Sequence, residues 1–382
     1  MGKNEYLFKT VFIACIGIIW CSSCMKDEPL NTECDILEAW VADGVADGFF
    51  FTPDDRRLTD IPSDVTQLTF TVKRTTGLPA LPVMFRLTDG ATITPDNGSA
   101  QDFSRGPVAY TVTSEDGQWK RIYELSVREA PLPNDSYDFE HFDVDAQGHY
   151  YEWYELNANG ERDAIWASGN AGYLIAKPNA AKDDYPTVPD ANGIDGYCVR
   201  LTTRATGNWG KTFKKPIAAG NFFLGAFDTK YALSNTLWTT RMGIPFTKEP
   251  IRLTGFYQYQ PGPVFTNKDN QAVEGRVDEP NIYAVLYLNH DSKGNAVVLH
   301  GDDVLTSPLI VRKTTAPSLP PTNEWMPFEL TFEGDSPIDA ELLANRGYNL
   351  ALVFSSSKNG DTFEGAEGST LLIDEVKMYY AE

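Results

Sequence analysis

Aromatic side chains stand next to polar ones at several places in the second half of the 382-residue chain. Trp209 lies beside a glycine in a predicted polar loop, and Trp238 shortly precedes Arg241. Tyr257 and Tyr259 are predicted to share one face of a strand, with Gln258 and Gln260 on the other. A flat ring packs against the C–H face of a pyranose, and neighbouring polar groups bind its hydroxyls. These clusters are therefore candidate sugar contacts, although packing in a protein core is the alternative for each of them.

Charged side chains follow in a glycine-rich stretch near the C-terminus, which contains Lys358, Asp361 and Glu364. We expect these three to supply polar contacts to the same ligand, with solvated loop charges as the alternative. Cleavage of a glycosidic bond needs two carboxyl groups roughly 5–10 Å apart, which Asp361 and Glu364 could provide. Glu152 and Glu155 are less suitable, because their odd spacing points them to opposite faces of a strand.

Two strands are predicted on either side of this glycine-rich stretch. Residues 350–354 form a short apolar run, and residues 371–380 alternate so that Asp374 shares a face with Val376 and Met378. A carboxylate on that face needs hydrogen-bond donors or a cation. Because the glycines of the loop permit positive φ angles, we expect its backbone N–H groups to donate hydrogen bonds to the Asp374 carboxylate.

The pattern S-S-S-K-x-G-D-x-F-x-G-A-x-G-S-T-L-x-I-D-E-V resembles the C-terminal signature of the putative carbohydrate metabolism domain of Bacteroidetes lipoproteins. Further segments agree with that family, at residues 137–140, 219–225, 243–246 and 253–259. The resemblance implies a jelly-roll β-sandwich, similar to carbohydrate-binding modules, over residues 137–382. It does not imply a known reaction.

The same resemblance suggests a structural Ca²⁺, since many jelly-roll sugar-binding modules hold one between their first and last strands. Glu140 and Asp374 are its candidate ligands here. Calcium takes about six to eight oxygen ligands, so loop amides around Asp374 are the preferred alternative. No other cofactor is expected.

Residues 35–130 are predicted to form a separate all-β module. Leu68, Phe70 and Val72 alternate with polar residues, and a turn containing Gly117 joins two further alternating runs, which indicates a hairpin. Short strands separated by turns favour an immunoglobulin-like sandwich that acts as a spacer. The fold class is therefore all-β, with this sandwich joined by a Pro-containing linker to the larger jelly-roll domain.

The N-terminus predicts export. An apolar run at residues 11–20 is too short to span a bilayer and is typical of a signal peptide, here residues 1–23. Small residues before Cys24 resemble a lipobox, which predicts a lipidated Cys24 at the start of a tether over residues 24–34. Cleavage without lipid is the alternative. Residues 25–28 resemble the export signal of Bacteroidetes surface lipoproteins, so we expect an outer-membrane lipoprotein that faces the cell exterior.

The composition excludes several partners. Lys and Arg number 32 against 53 Asp and Glu, which gives a net charge of −21. Such a surface repels phosphate backbones and anionic lipids, so nucleic acid is excluded and membrane contact is expected through the lipid anchor only. Cys34 and Cys198 are the cysteines that follow Cys24, and their spacing does not fit a Cys/His metal cluster.

These features together predict a surface lipoprotein that captures an oligo- or polysaccharide, in carbohydrate utilisation, without cleaving it. Two alternatives remain open. One is a glycoside hydrolase that acts at the same pocket, and the other is a structural or adhesive surface protein. A sandwich with one broad apolar face and no pocket would favour the adhesive interpretation.

Overall fold

A computed structural model of the chain describes residues 29–42, 44, 49–50, 54–73, 80–129, 134–157, 160–232 and 234–381. The chain divides into two compact units, of which the first ends at Arg128 and the second begins at Glu129. Both consist mainly of antiparallel strands, which confirms the predicted all-β sandwich class. The predicted signal peptide, Cys24 and most of the linker lie outside the described residues. No described helix is long and apolar enough to cross a membrane.

The first unit contains two four-stranded sheets. Its strands are β1 (Ile36–Val41), β2 (Arg57–Leu58), β3 (Gln67–Val72), β4 (Leu81–Leu87), β5 (Thr92–Thr94), β6 (Ala100–Gln101), β7 (Val108–Thr113) and β8 (Lys120–Glu129). One sheet has the order β2-β1-β4-β6 and the other β3-β8-β7-β5. Alternate side chains such as Phe70, Tyr110 and Tyr123 are fully buried, as expected for sheets with one covered face.

The second unit is larger and contains most of the strands. These are β9 (Ser136–Tyr137), β10 (Phe142–Val144), β11 (Tyr151–Trp153), β12 (Glu155–Leu156), β13 (Arg162–Asp163), β14 (Trp166–Ser168), β15 (Thr187–Asp190), β16 (Cys198–Thr202), β17 (Arg204–Ala205), β18 (Ile217–Ala218), β19 (Asn221–Phe227), β20 (Thr240–Met242), β21 (Ile244–Phe246), β22 (Pro250–Gln260), β23 (Phe265–Thr266), β24 (Asn281–Leu288), β25 (Ile310–Thr315), β26 (Thr322–Thr331), β27 (Tyr348–Ser355), β28 (Gly365–Ala366) and β29 (Thr370–Tyr380). Its short helices are α1 (Asn170–Ala176), α2 (Gly207–Thr212) and α3 (Ala340–Ala344).

Two large sheets of this unit enclose its core. The seven-stranded sheet has the order β14-β19-β27-β24-β25, with β20 beside β19 and β21 beside β27. The six-stranded sheet has the order β15-β16-β29-β22-β26, with β9 beside β29. Phe222, Ile282 and Phe354 from the first sheet pack with Leu253 and Ile373 from the second, so the core lies between the two sheets.

The seven-stranded sheet is also covered on the face turned away from this core. A second apolar cluster there contains Phe223, Met242, Tyr283 and Val353 from the strands and Val304 from the segment between β24 and β25. Because both faces are covered, β24 and β27 are buried at almost every position and their sequences are continuous apolar runs.

Strand β29 departs from the predicted alternation. Ile373 and Val376 both face the core, because the pairing register with β22 shifts and Glu375 takes a positive φ of 49°. An extra residue of this kind, a β-bulge, reverses the parity of the side chains that follow it. Asp374 therefore lies on the face opposite to Val376 and Met378, and the prediction that it shares their face was wrong.

Candidate functional site

A cavity of about 380 Å³, called the outer cavity below, lies on the face of the seven-stranded sheet that is turned away from the core. Its strand-borne side chains are Asn221 and Phe223 of β19, Asn281 and Tyr283 of β24, and Val353 and Ser355 of β27. They alternate with side chains that point into the core, because successive residues of a strand face opposite ways. The same strands therefore contribute side chains to the core on one face and to the cavity on the other.

Connecting segments supply the walls of the outer cavity. Helix α1 contributes Tyr173 and Ile175, and the segment before β20 contributes Thr236. The segment between β24 and β25 contributes Asp302 and Val304, and the loop after β27 contributes Lys358, Asp361 and Phe363. The lining is thus a largely apolar surface with a few charged and amide groups. That composition is typical of small-molecule sites.

Trp209 lies on α2 and lines the outer cavity with 38% of its surface exposed. Its ring contacts that of Phe213, with 4.7 Å between the centroids. Gly210 allows the tight turn that follows, since a Cβ there would overlap the Thr206 hydroxyl and the Lys215 carbonyl. The glycine beside the tryptophan thus has a steric role, and the predicted loop residue stands on a short helix.

Lys215 follows α2, and its ammonium group lies in the cavity wall. It donates to the Ala232 carbonyl at 3.0 Å and to the Thr236 hydroxyl, and it stands 5.5 Å from the centre of the Phe363 ring. Burial lowers the pKa of the Lys215 amine. Sequence reasoning missed this residue, because nothing in the sequence distinguishes it from its neighbour Lys214.

Asp278 holds the loop formed by residues 356–369, called the C-terminal loop below. Its carboxylate accepts hydrogen bonds from the Ser357 hydroxyl at 2.6 Å, the Ser369 hydroxyl at 2.7 Å and the Ala366 N–H at 2.8 Å. Its side chain is buried, and burial raises the pKa of this carboxyl above its usual range. The loop thus surrounds Asp278, a residue that sequence reasoning missed, and the prediction that it surrounds Asp374 was wrong.

The C-terminal loop carries two of the predicted site residues into the outer cavity. Lys358 lines the cavity, and its Nζ lies 3.6 Å from the Glu279 Oε2 atom. Asp361 also lines the cavity, and its side chain is exposed at the surface. The concave wall around the Asp361 carboxyl removes part of its hydration, which raises the pKa of that group, and Glu364 adds to the effect. Both residues are therefore placed to contact a ligand.

The Asp374 carboxylate accepts hydrogen bonds from backbone amides outside the C-terminal loop. It is fully buried and accepts hydrogen bonds from the Ile194 N–H at 2.6 Å and the Glu375 N–H at 2.8 Å. Burial raises the pKa of Asp374 to about 6, and the charges of Glu375 and Glu140 contribute in the same direction. Satisfaction by amides was the preferred prediction, although the donors are not those expected.

Glu140 comes close to Asp374, as the resemblance to calcium-binding modules implied. Its carboxylate accepts the Tyr197 N–H at 2.6 Å, so backbone donors occupy three of the four carboxylate oxygens of the pair. Calcium needs about six to eight oxygens, and no group of three or more acidic, His or Cys side chains that could hold a metal occurs in the described ranges. The Glu140 and Asp374 carboxylates by themselves therefore supply too few oxygens to hold calcium.

Trp238 and Arg241 lie beside the outer cavity and are not among the described residues that line it. Trp238 stacks on His300 with 5.4 Å between ring centroids, and its Nε1–H donates to Asp302 at 3.2 Å. Asp302 does line the cavity, so Trp238 supports a wall residue. Arg241 is an exposed residue of β20.

Three predicted contacts lie away from the outer cavity. Tyr257 and Tyr259 are only 3% and 1% exposed and pack in the core between the sheets, so their rings are unavailable to a ligand. The prediction that they share one face of a strand was right, but that face is the core face. Glu364 points toward Arg276, with 3.7 Å between the charged groups, and is not among the lining residues.

Glu155 has an unusual environment elsewhere in the second unit. It accepts hydrogen bonds from the Trp166 Nε1–H at 2.7 Å and the Asn134 amide at 3.2 Å. Burial raises the pKa of Glu155 to about 7. Neither Glu155 nor Glu152 is among the described residues that line the outer cavity, so they form no acid pair at this site.

Comparison with known proteins agrees with this architecture. Residues 138–379 match the family described as Putative carbohydrate metabolism domain, and residues 49–127 match the family described as SGBP, N-terminal. A crystal structure from Bacteroides thetaiotaomicron, described as a putative glycoside hydrolase, is 39% identical, covers 94% of this chain and 99% of its own, and has a TM-score of 0.72. One from Bacteroides vulgatus with the same description is 35% identical, covers 66% of this chain and 100% of its own, and has a TM-score of 0.61. No curated protein is significantly similar to the chain.

Proposed function

We propose that this chain, which belongs to the family of the Putative carbohydrate metabolism domain, binds a glycan in the outer cavity without cleaving it. The observation that carries the proposal is the lining itself. Aromatic rings of Trp209, Tyr283 and Phe363 surround the same space as the polar groups of Asn281 and Asp361. Sugar rings need both an apolar face and hydrogen-bonding partners, and this cavity offers them together.

Each lining group has a definite part in this proposal. The exposed ring of Trp209 stacks on the C–H face of a sugar at the cavity mouth. The Tyr283 hydroxyl and the Asn281 amide make no hydrogen bond to other described residues, so both can bind sugar hydroxyls. Lys358 and Asp361 bind further hydroxyls from the C-terminal loop.

Calorimetric titration with host and plant oligosaccharides tests the proposal. We expect Trp209→Ala to weaken binding about tenfold or more, because loss of a stacked ring costs on the order of 1 kcal/mol beyond its buried area. Trp119→Ala is the matched control, since Trp119 is an exposed tryptophan of the first unit. Equal binding by the wild type and Trp209→Ala would contradict the role of this ring.

We also propose that the protein is attached to the outer membrane through lipid on Cys24 and faces the cell exterior. Support comes from the signal-like N-terminus and the small residues before Cys24. A Cys24→Ala variant should leave the membrane fraction, and protease added to whole cells should degrade the wild type. Membrane association of Cys24→Ala would refute the anchor.

Glycoside hydrolysis at the same cavity is the second candidate function. It is favoured by two observations, the raised pKa of Asp361, which suits a general acid, and the presence of a further carboxylate, Asp302, in the lining. The relatives described as putative glycoside hydrolases agree with it. Release of reducing ends from polysaccharides, abolished in Asp361→Asn while binding persists, would establish hydrolysis in place of simple capture.

A further inference from the structure

The Lys215 ammonium has no carboxylate partner among the described residues. Its hydrogen bonds go to two neutral acceptors, the Ala232 carbonyl and the Thr236 hydroxyl. The remaining neighbour is the Phe363 ring, and all three partners line the outer cavity. An ammonium group has three N–H donors, so one remains for a ligand.

The partial burial of Lys215 strengthens the interaction of its ammonium group with a counter-ion. The walls around Lys215 remove hydration from the ammonium group, which lowers the pKa of the amine. A charge in such an environment interacts with a counter-ion several times more strongly than it would in bulk water. An anion that enters the cavity would therefore replace both the lost hydration and the missing ion pair.

The other charged groups of the cavity do not cancel Lys215. The Lys358 ammonium already lies 3.6 Å from Glu279. The Asp302 side chain is exposed and accepts a hydrogen bond from Trp238, so solvent and salt screen its repulsion of an anion. Asp361 accepts the Thr362 N–H at 2.8 Å and forms no ion pair with Lys215 among the described residues. Lys215 is thus the lining cation that no described carboxylate balances, although the protein as a whole carries a net charge of −21.

Resting on the proposed function, we propose that the outer cavity selects a sugar with an anionic substituent, which forms an ion pair with Lys215. The substituent is the carboxylate of an acidic sugar or a sulfate ester, both of which accept charged hydrogen bonds from an ammonium group. A cavity of about 380 Å³ lies at the small end of ligand sites, so the ligand is a short segment or the end of a chain.

Matched ligand pairs test this selection in calorimetric titrations of the intact protein. Carboxylate is tested with oligogalacturonides against their methyl esters, and with sialyllactose against lactose. Sulfate is tested with sulfated chondroitin oligosaccharides against their desulfated forms. We expect at least one anionic member to bind about tenfold more tightly than its partner, and its affinity to fall as salt is raised.

Substitutions then assign the preference to Lys215. Lys215→Met keeps the length of the side chain and removes its charge, so the anionic ligand should lose about tenfold in affinity while a neutral ligand changes little. Lys215→Arg keeps the charge and should retain the preference. Lys214→Met is the matched control, because Lys214 is the next residue, 72% exposed, and paired with Asp269 at 3.0 Å.

The outcomes separate this inference from the proposed function. Trp209-dependent binding of neutral glycans with no gain from an anionic group overturns the anionic selection and leaves glycan capture intact. Absence of binding to any glycan overturns both. If Lys215→Met fails to fold, the affinity of the wild type for the anionic ligand is measured at several salt concentrations instead. An affinity that does not change with salt contradicts an ion pair.

Discussion

The two faces of the seven-stranded sheet are formed by the same strands and differ in how completely they are covered. On the inner face Phe222, Ile282 and Phe354 pack into an apolar core. On the outer face their direct neighbours include Tyr283 and Ser355, which line the outer cavity. A single residue step along a strand therefore separates a position that stabilises the fold from one that can contact a ligand.

This difference explains how one sandwich can be both stable and open to a ligand. The inner face is closed by the second large sheet, and the outer face is closed only in part, by connecting segments that carry Leu299 and Val304. Where that cover ends, polar side chains appear and the cavity begins. Such a cavity is not the broad apolar face that we expected of an adhesive sandwich.

The largest expected effect comes from the inner face. Phe222 stacks on Trp166 with 4.5 Å between ring centroids and lies in the core. Phe222→Ala should lower the free energy of unfolding of the second unit by about 3–5 kcal/mol, because it leaves a large cavity. Urea denaturation measures this, and a loss below about 1 kcal/mol would contradict the assignment of this face to the core.

A smaller effect is expected where the outer face meets the C-terminal loop. Asp278→Ala removes the acceptor of the Ser357, Ser369 and Ala366 donors, so stability should fall by about 2–4 kcal/mol and glycan binding should weaken as the loop loosens. Glu279→Ala is the control, since Glu279 is adjacent but partly exposed. Equal stability of the two variants would show that Asp278 does not hold the loop.

The outer face of the six-stranded sheet gives a pH-dependent test. The folded pKa of Asp374 is about 6, above its ordinary value of 3.8, so the folded state holds the proton more tightly. Its contribution to stability is therefore fully present below pH 4 and is lost, by at most about 3 kcal/mol, as pH rises through 6. The free energy of unfolding, measured against pH for the wild type and for Asp374→Asn, should fall in this way only in the wild type. Parallel curves for the two proteins would contradict the prediction.

The smallest effect is expected at the cavity itself. Tyr283→Phe removes one hydroxyl that has no hydrogen-bond partner among the described residues, so stability should change by less than about 0.5 kcal/mol. Binding of a glycan should weaken by about 0.5–1.5 kcal/mol, a few-fold in affinity. A large loss of stability without loss of binding would make the outer face a second core and remove the contrast between the faces.

The sequence was sufficient to predict the class of fold, because alternating and continuous apolar runs specify strands directly. Three of the predicted contacts, Trp209, Lys358 and Asp361, line the outer cavity. They stand out in the sequence as an aromatic ring beside glycine and as charges in a glycine-rich loop. Tyr257 and Tyr259 were assigned correctly to one face of a strand. The alternation of residues along a strand does not show whether a given face packs in the core or contacts a ligand. Here the face of Tyr257 and Tyr259 packs in the core.

The remaining errors come from contacts between distant parts of the chain. Asp278 is remote in sequence from the C-terminal loop that it holds, and Lys215 has the same local sequence features as Lys214. The bulge at Glu375 uses a positive φ without glycine, so no residue type marks it. These features depend on tertiary structure, which local patterns do not encode.

The most direct test of the central claim is a crystal structure of the protein with the oligosaccharide that binds it most tightly. We predict a sugar ring in the outer cavity, stacked on Trp209 and hydrogen-bonded to Tyr283. A glycan bound at another surface, for example at Trp119, with nothing in the outer cavity, would contradict the account.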